Sequence, residues 1–106
     1  MKVMSDRETR DIVELQQRLA ARLAQLRFES REAAPKLAHH LAEIAVLSRN
    51  FAEHTLPLFL DMSEEHADAL GRLAVSVKCD LDEIRDAIAD IGPDVIELMH
   101  HLNPQP

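Results

Sequence analysis

Two groups of histidine and glutamate residues have the spacing of metal ligands on a helix. Within each group, the glutamate is three residues from one imidazole and four from the other. The groups are His39, His40 and Glu43, and Glu97, His100 and His101. Residues three or four apart lie on adjacent turns of one helix face, so each group can present imidazole and carboxylate donors to a divalent metal. The alternative interpretation is surface histidines beside surface carboxylates.

The second group also contains the Glu-x-x-His pattern of di-iron helix bundles, from Glu97 to His100. Those bundles need two such motifs and two further glutamates directed into the core. This chain has no second Glu-x-x-His motif, and its heptad pattern places both residues on outward positions. We therefore predict no cofactor, with metal binding as an alternative.

Arg49 and His54 form a different candidate pair. A guanidinium can stabilise phosphate charge, and an imidazole can transfer protons. The segment 49–54, Arg-Asn-Phe-Ala-Glu-His, resembles the Arg-x4-His motif of HEPN ribonucleases and toxins, an all-α family. The resemblance implies RNA cleavage across a dimer interface, with His54 as the acid–base or positioning group and Arg49 as the phosphate stabiliser. The tyrosine that commonly follows the histidine in the toxin branch is absent, and a partly buried structural histidine is the alternative.

Other catalytic motifs are missing from the sequence. There is no nucleophile elbow, no paired-cysteine metal motif and no glycine-rich phosphate loop, since the only glycines are Gly71 and Gly92. This absence favours a non-enzymatic protein over an enzyme.

Composition and charge restrict the class of protein. The chain has 106 residues, 46% of them apolar, with three Phe and no Trp or Tyr, which is typical of one small all-α domain. The formal charge is −7, and residues 61–106 hold eleven acidic against three basic residues. Nucleic-acid binding is therefore not expected of that half.

The location of the protein is predicted from what its sequence lacks. The single Cys79 is expected to be a free thiol in a reducing compartment. With no signal-peptide pattern and no long apolar run, we predict a cytoplasmic protein with no membrane contact.

A heptad pattern in the C-terminal half is the clearest structural signal. The apolar residues alternate at spacings of three and four: Ala67, Leu70, Ala74, Val77, Leu81, Ile84, Ile88, Ile91, Val95, Leu98 and Leu102. These residues form a narrow apolar strip along one side of the helix, the heptad seam. The seam must be covered by other helices or by a second subunit. We predict a three-helix up-down-up bundle over residues 1–102, with a disordered tail at 103–106, and a dimer formed through the long third helix.

Local signals set the expected ends of the helices. Ser5 begins helix 1, which should end near Glu29, and the most apolar helix 2 follows as the central element. Gly92-Pro93 predicts a kink or a one-turn break in helix 3, with the following segment still docked.

Two surface features are candidate partner sites. The apolar run around Pro57 is expected to be either a buried turn or an exposed knob that meets a partner. An acidic row at i,i+4 spacing needs solvent or a basic partner. The residues concerned are Leu56, Leu58, Phe59 and Leu60 in the knob and Asp82, Asp86 and Asp90 in the row.

The function predicted from these features is that of a small bacterial-type interaction protein acting as a homodimer. A regulator, an adaptor and a chaperone-like module all fit this description. The alternatives are the ribonuclease centred on Arg49 and His54 and the histidine–carboxylate metal binder.

Overall fold

The computed structural model describes residues 6–104, and every regular element in this range is helical. The four α-helices are α1 (Asp6–Gln25), α2 (Ala33–Asn50), α3 (Leu56–Asp61) and α4 (Ala67–Leu102). A π-helical turn, Phe51–Thr55, joins α2 to α3, and a 3₁₀ turn, Glu64–His66, precedes α4. The all-α prediction is confirmed. Ser5, the expected cap of the first helix, lies outside the described residues.

α1 ends at Gln25, four residues before the predicted end. Arg27 adopts a left-handed backbone conformation with φ of 64°. Its N–H donates to the Ala24 carbonyl, and the Phe28 N–H donates to the Leu23 carbonyl. This pair of bonds is the Schellman motif, which terminates helices and normally has glycine at the left-handed position. Because arginine occupies that position here, no glycine marks the end of the helix in the sequence.

The chain passes from α2 into α3 through a wide turn at Phe51–Thr55. Pro57 has no N–H, and its ring would collide with the carbonyl four residues earlier in a regular α-helix. The Leu56 N–H instead donates to the Phe51 carbonyl, five residues back. The π-helical turn therefore carries the helix past the proline.

α4 is continuous across Gly92-Pro93, so the break considered at this point is absent. Gly92 and Pro93 are exposed, whereas Ile91 before them and Asp94 after them are buried. The segment after the proline therefore remains docked on the rest of the chain, as predicted. Asn103 and Pro104 follow the helix as irregular backbone.

α2 is the central helix, as its composition predicts, and packs against α1 on one side and α4 on the other. Its buried residues are Ala33, Leu37, Ala38, Ala42, Val46 and Leu47. Half of these are alanines, and small side chains at a helix contact let the two axes approach closely. One core cluster joins the three long helices through Leu23 of α1, Leu37 of α2 and Ile91 of α4. Phe28 from the connecting loop belongs to the same cluster.

Polar pairs fix the relative direction of the helices. On one side of α2, Arg49 contacts Asp11 and His39 contacts Gln16. The residue that comes earlier in α1 contacts the residue that comes later in α2, so α1 and α2 are antiparallel. On the other side, the order of the residues in the pairs Lys36–Asp94 and His40–Asp90 rises along α2 and falls along α4. α2 and α4 are therefore antiparallel too.

The molecule is elongated, with principal extents of 61 × 28 × 21 Å. Its radius of gyration is 17.1 Å, against about 13 Å expected for a compact domain of this length. The cause is α4, whose 36 residues span about 54 Å at 1.5 Å per residue. α2, with 18 residues, spans only about half of that length, so part of α4 extends beyond the core.

Candidate functional site

The heptad seam of α4 is divided between the core and the solvent. Alternate members lie on one face of α4 and are partly or fully buried: Leu70, Val77, Ile84, Ile91 and Leu98. The other members form a second row, which we call the open stripe: Ala67, Ala74, Leu81, Ile88, Val95 and Leu102. All of these except Val95 are exposed, and Met99 beside them is 61% exposed. One chain therefore covers only half of its own seam.

The segment 51–79, which we call the helical arm, contains no buried residue. It comprises the π-helical turn, α3, the 3₁₀ turn and the first part of α4. The apolar side chains of α3 are exposed, and Leu60 is the most open at 81%. The buried-turn alternative for this region is therefore wrong, and Leu56, Leu58, Phe59 and Leu60 form an exposed apolar knob.

The arm is attached to the core at Thr55, whose hydroxyl donates to Asp80 Oδ2 at 3.4 Å. Asp80 is 2% exposed and is the first buried residue of α4. Within the arm, α3 packs mainly against the π-helical turn, and α3 and both turns also contact α4.

Arg49 and His54 line one polar cleft of about 610 Å³ where the start of α1 meets the end of α2. The lining residues are Arg7, Glu8, Asp11, Arg49, Asn50, Glu53, His54 and Thr55. Arg49 Nη2 donates to Asp11 Oδ2 at 2.7 Å, so its charge is already paired. With three carboxylates against two guanidinium groups, the cleft is a poor environment for a phosphate.

The first histidine group is assembled as its spacing predicts. One donor atom from each of His39, His40 and Glu43 lies within 4.8 Å of the other two. His39 also contacts Gln16 of α1, and His40 contacts Asp90 of α4. The sequence spacing identified the three residues of α2 but gave no indication of the partners from the other helices.

The second histidine group is not assembled. Among residues 6–104, Glu97, His100 and His101 do not form a cluster of three metal donors. His101 Nε2 lies 2.7 Å from the Leu26 carbonyl oxygen, and its ring packs edge-on against Phe28 at 5.5 Å. His101 therefore holds the α1–α2 loop against the end of α4, which is a structural role.

The acidic row is balanced mainly by groups of the same chain. Asp82 accepts a hydrogen bond from Lys78 at 2.8 Å and lies 3.4 Å from Arg85, which also contacts Asp86. Asp90 lies near His40. The hydrogen bond from Lys78 lowers the pKa of Asp82 and raises the pKa of Lys78. The row therefore does not require a basic partner.

Comparison with known proteins adds no relative. No family model, no curated protein and no solved structure matches the chain. In residues 6–104, no helix combines the length and apolar character needed to cross a membrane. Functional inference therefore rests on the surfaces and clusters described above.

Proposed function

We propose that this chain is a non-enzymatic protein–protein interaction module that acts as a homodimer through the open stripe and the helical arm. The observation that carries the proposal is the half-covered seam of α4. Apolar residues in strict heptad register are the pattern by which helices pair. Leu81 and Ile88 continue that register, but about half of the surface of each stays exposed in the single chain.

The accessible surface area of the chain is larger than expected for a monomer of its mass, which supports a missing partner. The chain exposes 7717 Å², whereas a monomeric protein of 12.0 kDa is expected to expose about 6,000 Å². A standard interface removes about 800 Å² from each partner. The excess is therefore large enough for a stable dimer contact.

The symmetry of the open stripe favours a second copy of the same chain. Its members are evenly placed about the midpoint of α4, with Leu81 and Ile88 on either side of that midpoint. In an antiparallel pair related by a two-fold axis, Leu81 of one copy packs against Ile88 of the other. The same operation brings Ala74 opposite Val95.

This arrangement also gives the helical arm a binding site. The arm of one copy runs beside the C-terminal end of α4 in the other, where Met99 and Leu102 are exposed. The knob side chains of α3, including Leu60, then pack against that apolar end. Both chains contribute three long helices, so the dimer is a six-helix bundle.

Cysteine cross-linking tests the antiparallel pairing directly. With Cys79 replaced by serine, Leu81→Cys and Ile88→Cys chains are mixed and oxidised. We expect a disulfide between the two different chains, because the pairing places these positions opposite each other. Val75→Cys, on another face of α4, is the matched control and should not cross-link.

Two results oppose the pairing. If the mixture of Leu81→Cys and Ile88→Cys chains does not cross-link above the Val75→Cys control, the open stripe is not the contact between copies. If Leu81→Cys alone cross-links as well as the mixture does, the helices pair in parallel and the antiparallel arrangement is wrong.

RNA cleavage is the weaker candidate function. It is favoured by the shared cleft of Arg49 and His54, but the ion pair with Asp11 occupies the guanidinium. Cleavage of single-stranded RNA by the purified protein, lost on His54→Ala with unchanged helicity, would reverse this ranking.

A further inference from the structure

The cluster on α2 has donor spacings close to those of a zinc site. His40 Nδ1 lies 3.0 Å from Glu43 Oε1, and His39 Nε2 lies 3.9 Å from Glu43 Oε2. Zinc–nitrogen bonds of about 2.0–2.1 Å in a tetrahedral site place neighbouring donor atoms roughly 3.3 Å apart. One donor atom from each of the three residues lies within 4.8 Å of the other two, so side-chain rotations that shorten a separation by at most about 1.5 Å would place the three donors around one ion.

Each imidazole has a second partner on its other nitrogen. His39 Nδ1 lies 2.9 Å from Gln16 Oε1, and His40 Nε2 lies 3.8 Å from Asp90 Oδ2. When Nδ1–H of His39 donates to Gln16, its Nε2 lone pair faces Glu43. When Nε2–H of His40 faces Asp90, the Nδ1 lone pair of His40 also faces Glu43.

Metal-bound histidines usually donate their other N–H to a carboxylate or carbonyl oxygen. Gln16 Oε1 is within hydrogen-bond distance of His39 for this role, and Asp90 is the carboxylate nearest to the other nitrogen of His40, at 3.8 Å. The two outer oxygens come from α1 and α4, while the three donors come from α2. The packing of three helices therefore orients both rings, which the i,i+3 and i,i+4 spacing alone does not do.

The cluster is also accessible to an ion. The side chains of His40 and Glu43 are about one-fifth exposed, and that of His39 is 45% exposed. Two imidazoles and one carboxylate suit zinc and similar first-row divalent ions. Three protein donors leave a fourth position for water.

We propose that His39, His40 and Glu43 bind one divalent transition-metal ion such as zinc per chain, with Gln16 and Asp90 as positioning residues for the two imidazoles. This site is separate from the open stripe, and its occupancy does not depend on the proposed dimer.

Calorimetric titration of the metal-free full-length protein with zinc chloride tests the site. We expect one ion per chain and a visible absorption band of four-coordinate Co²⁺ when cobalt replaces zinc. Glu43→Gln should weaken binding at least tenfold, whereas Glu97→Gln is the matched control and should leave it unchanged. Absence of stoichiometric binding, or equal losses in the two variants, would overturn the proposal.

The positioning residues have their own test. Asp90→Ala should lower zinc affinity by about 10- to 100-fold while the melting temperature in EDTA stays unchanged, with Asp86→Ala as the control. The same is expected of Gln16→Ala. Unchanged zinc affinity in both variants would contradict the positioning roles.

Discussion

Leu81 and Ile88 lie two turns apart on the same face of α4, and each exposes about half of its surface, 49% and 53%. Between them along the chain, Ile84 and Ala87 face the core and are partly or fully covered. α4 therefore has two adjacent apolar faces, one used within the chain and one open. The open face is the basis of the proposed dimer.

Removing an apolar side chain from the knob should weaken self-association. We expect Leu60→Ser to raise the dimer dissociation constant by at least about 100-fold, because the symmetric dimer buries two copies of this leucine and each contributes roughly 1.5–3 kcal/mol. Sedimentation equilibrium over a dilution series measures this constant. Val13→Ser, at another exposed apolar position on α1, is the control, and an equal effect of the two substitutions would argue against a specific knob contact.

Replacing Arg27 by glycine should stabilise the protein. Its φ of 64° is unfavourable for a residue with a Cβ atom and free of strain for glycine. We expect the free energy of unfolding to rise by about 1 kcal/mol, measured by urea denaturation at a fixed protein concentration. Arg31→Gly, at a nearby position without a positive φ, should give no gain. A loss of stability in Arg27→Gly would show that contacts of the Arg27 side chain contribute more to the free energy of unfolding than the strain of its backbone costs.

Gly71→Ala should also stabilise the protein, because here a glycine occupies a position that suits a residue with a Cβ atom. Gly71 lies inside α4, and an added Cβ meets no atom within 4 Å. Alanine restricts the unfolded chain and favours the helix, so a gain of about 0.5–1 kcal/mol is expected. A decrease in the urea midpoint would mean that another surface approaches this position in the dimer.

Loss of Lys36 should destabilise the contact between α2 and α4. Lys36 Nζ lies 3.5 Å from Asp94 Oδ2, and the Asp94 side chain is only 12% exposed. Lys36→Met leaves this carboxylate without its cation, so we expect a cost of about 1–3 kcal/mol at neutral pH. Lys78→Met is the control: its partner Asp82 is 36% exposed, and its loss should be smaller. Equal losses would show that burial of Asp94 is not the cause.

The sequence predicts the helices better than it predicts their ends and surfaces. The heptad register identified α4 and its apolar face, and the apolar composition of α2 identified the central helix. The end of α1 was missed because Arg27 takes a left-handed conformation where glycine is expected. The sequence does not decide whether the knob is a buried turn or an exposed surface, because only the packing of α3 determines whether its side chains are covered.

In the candidate sites too, some features follow from the sequence and others depend on how the helices pack. Spacing along α2 brought His39, His40 and Glu43 together, because helix geometry alone sets their separation. Gln16 and Asp90 come from other helices, so their positions depend on tertiary packing. Likewise, the register identifies the whole seam of α4, but which half stays open depends on where α2 docks.

The molecular mass in solution tests the central claim most directly. We predict that the wild-type chain sediments at twice its 12.0 kDa mass at micromolar concentration, and that Leu81→Glu/Ile88→Glu sediments as a helical monomer. Val13→Glu, at an exposed apolar position on α1, should remain dimeric. A wild-type monomer at these concentrations, or a dimer that survives both glutamates, would contradict the proposed pairing through α4.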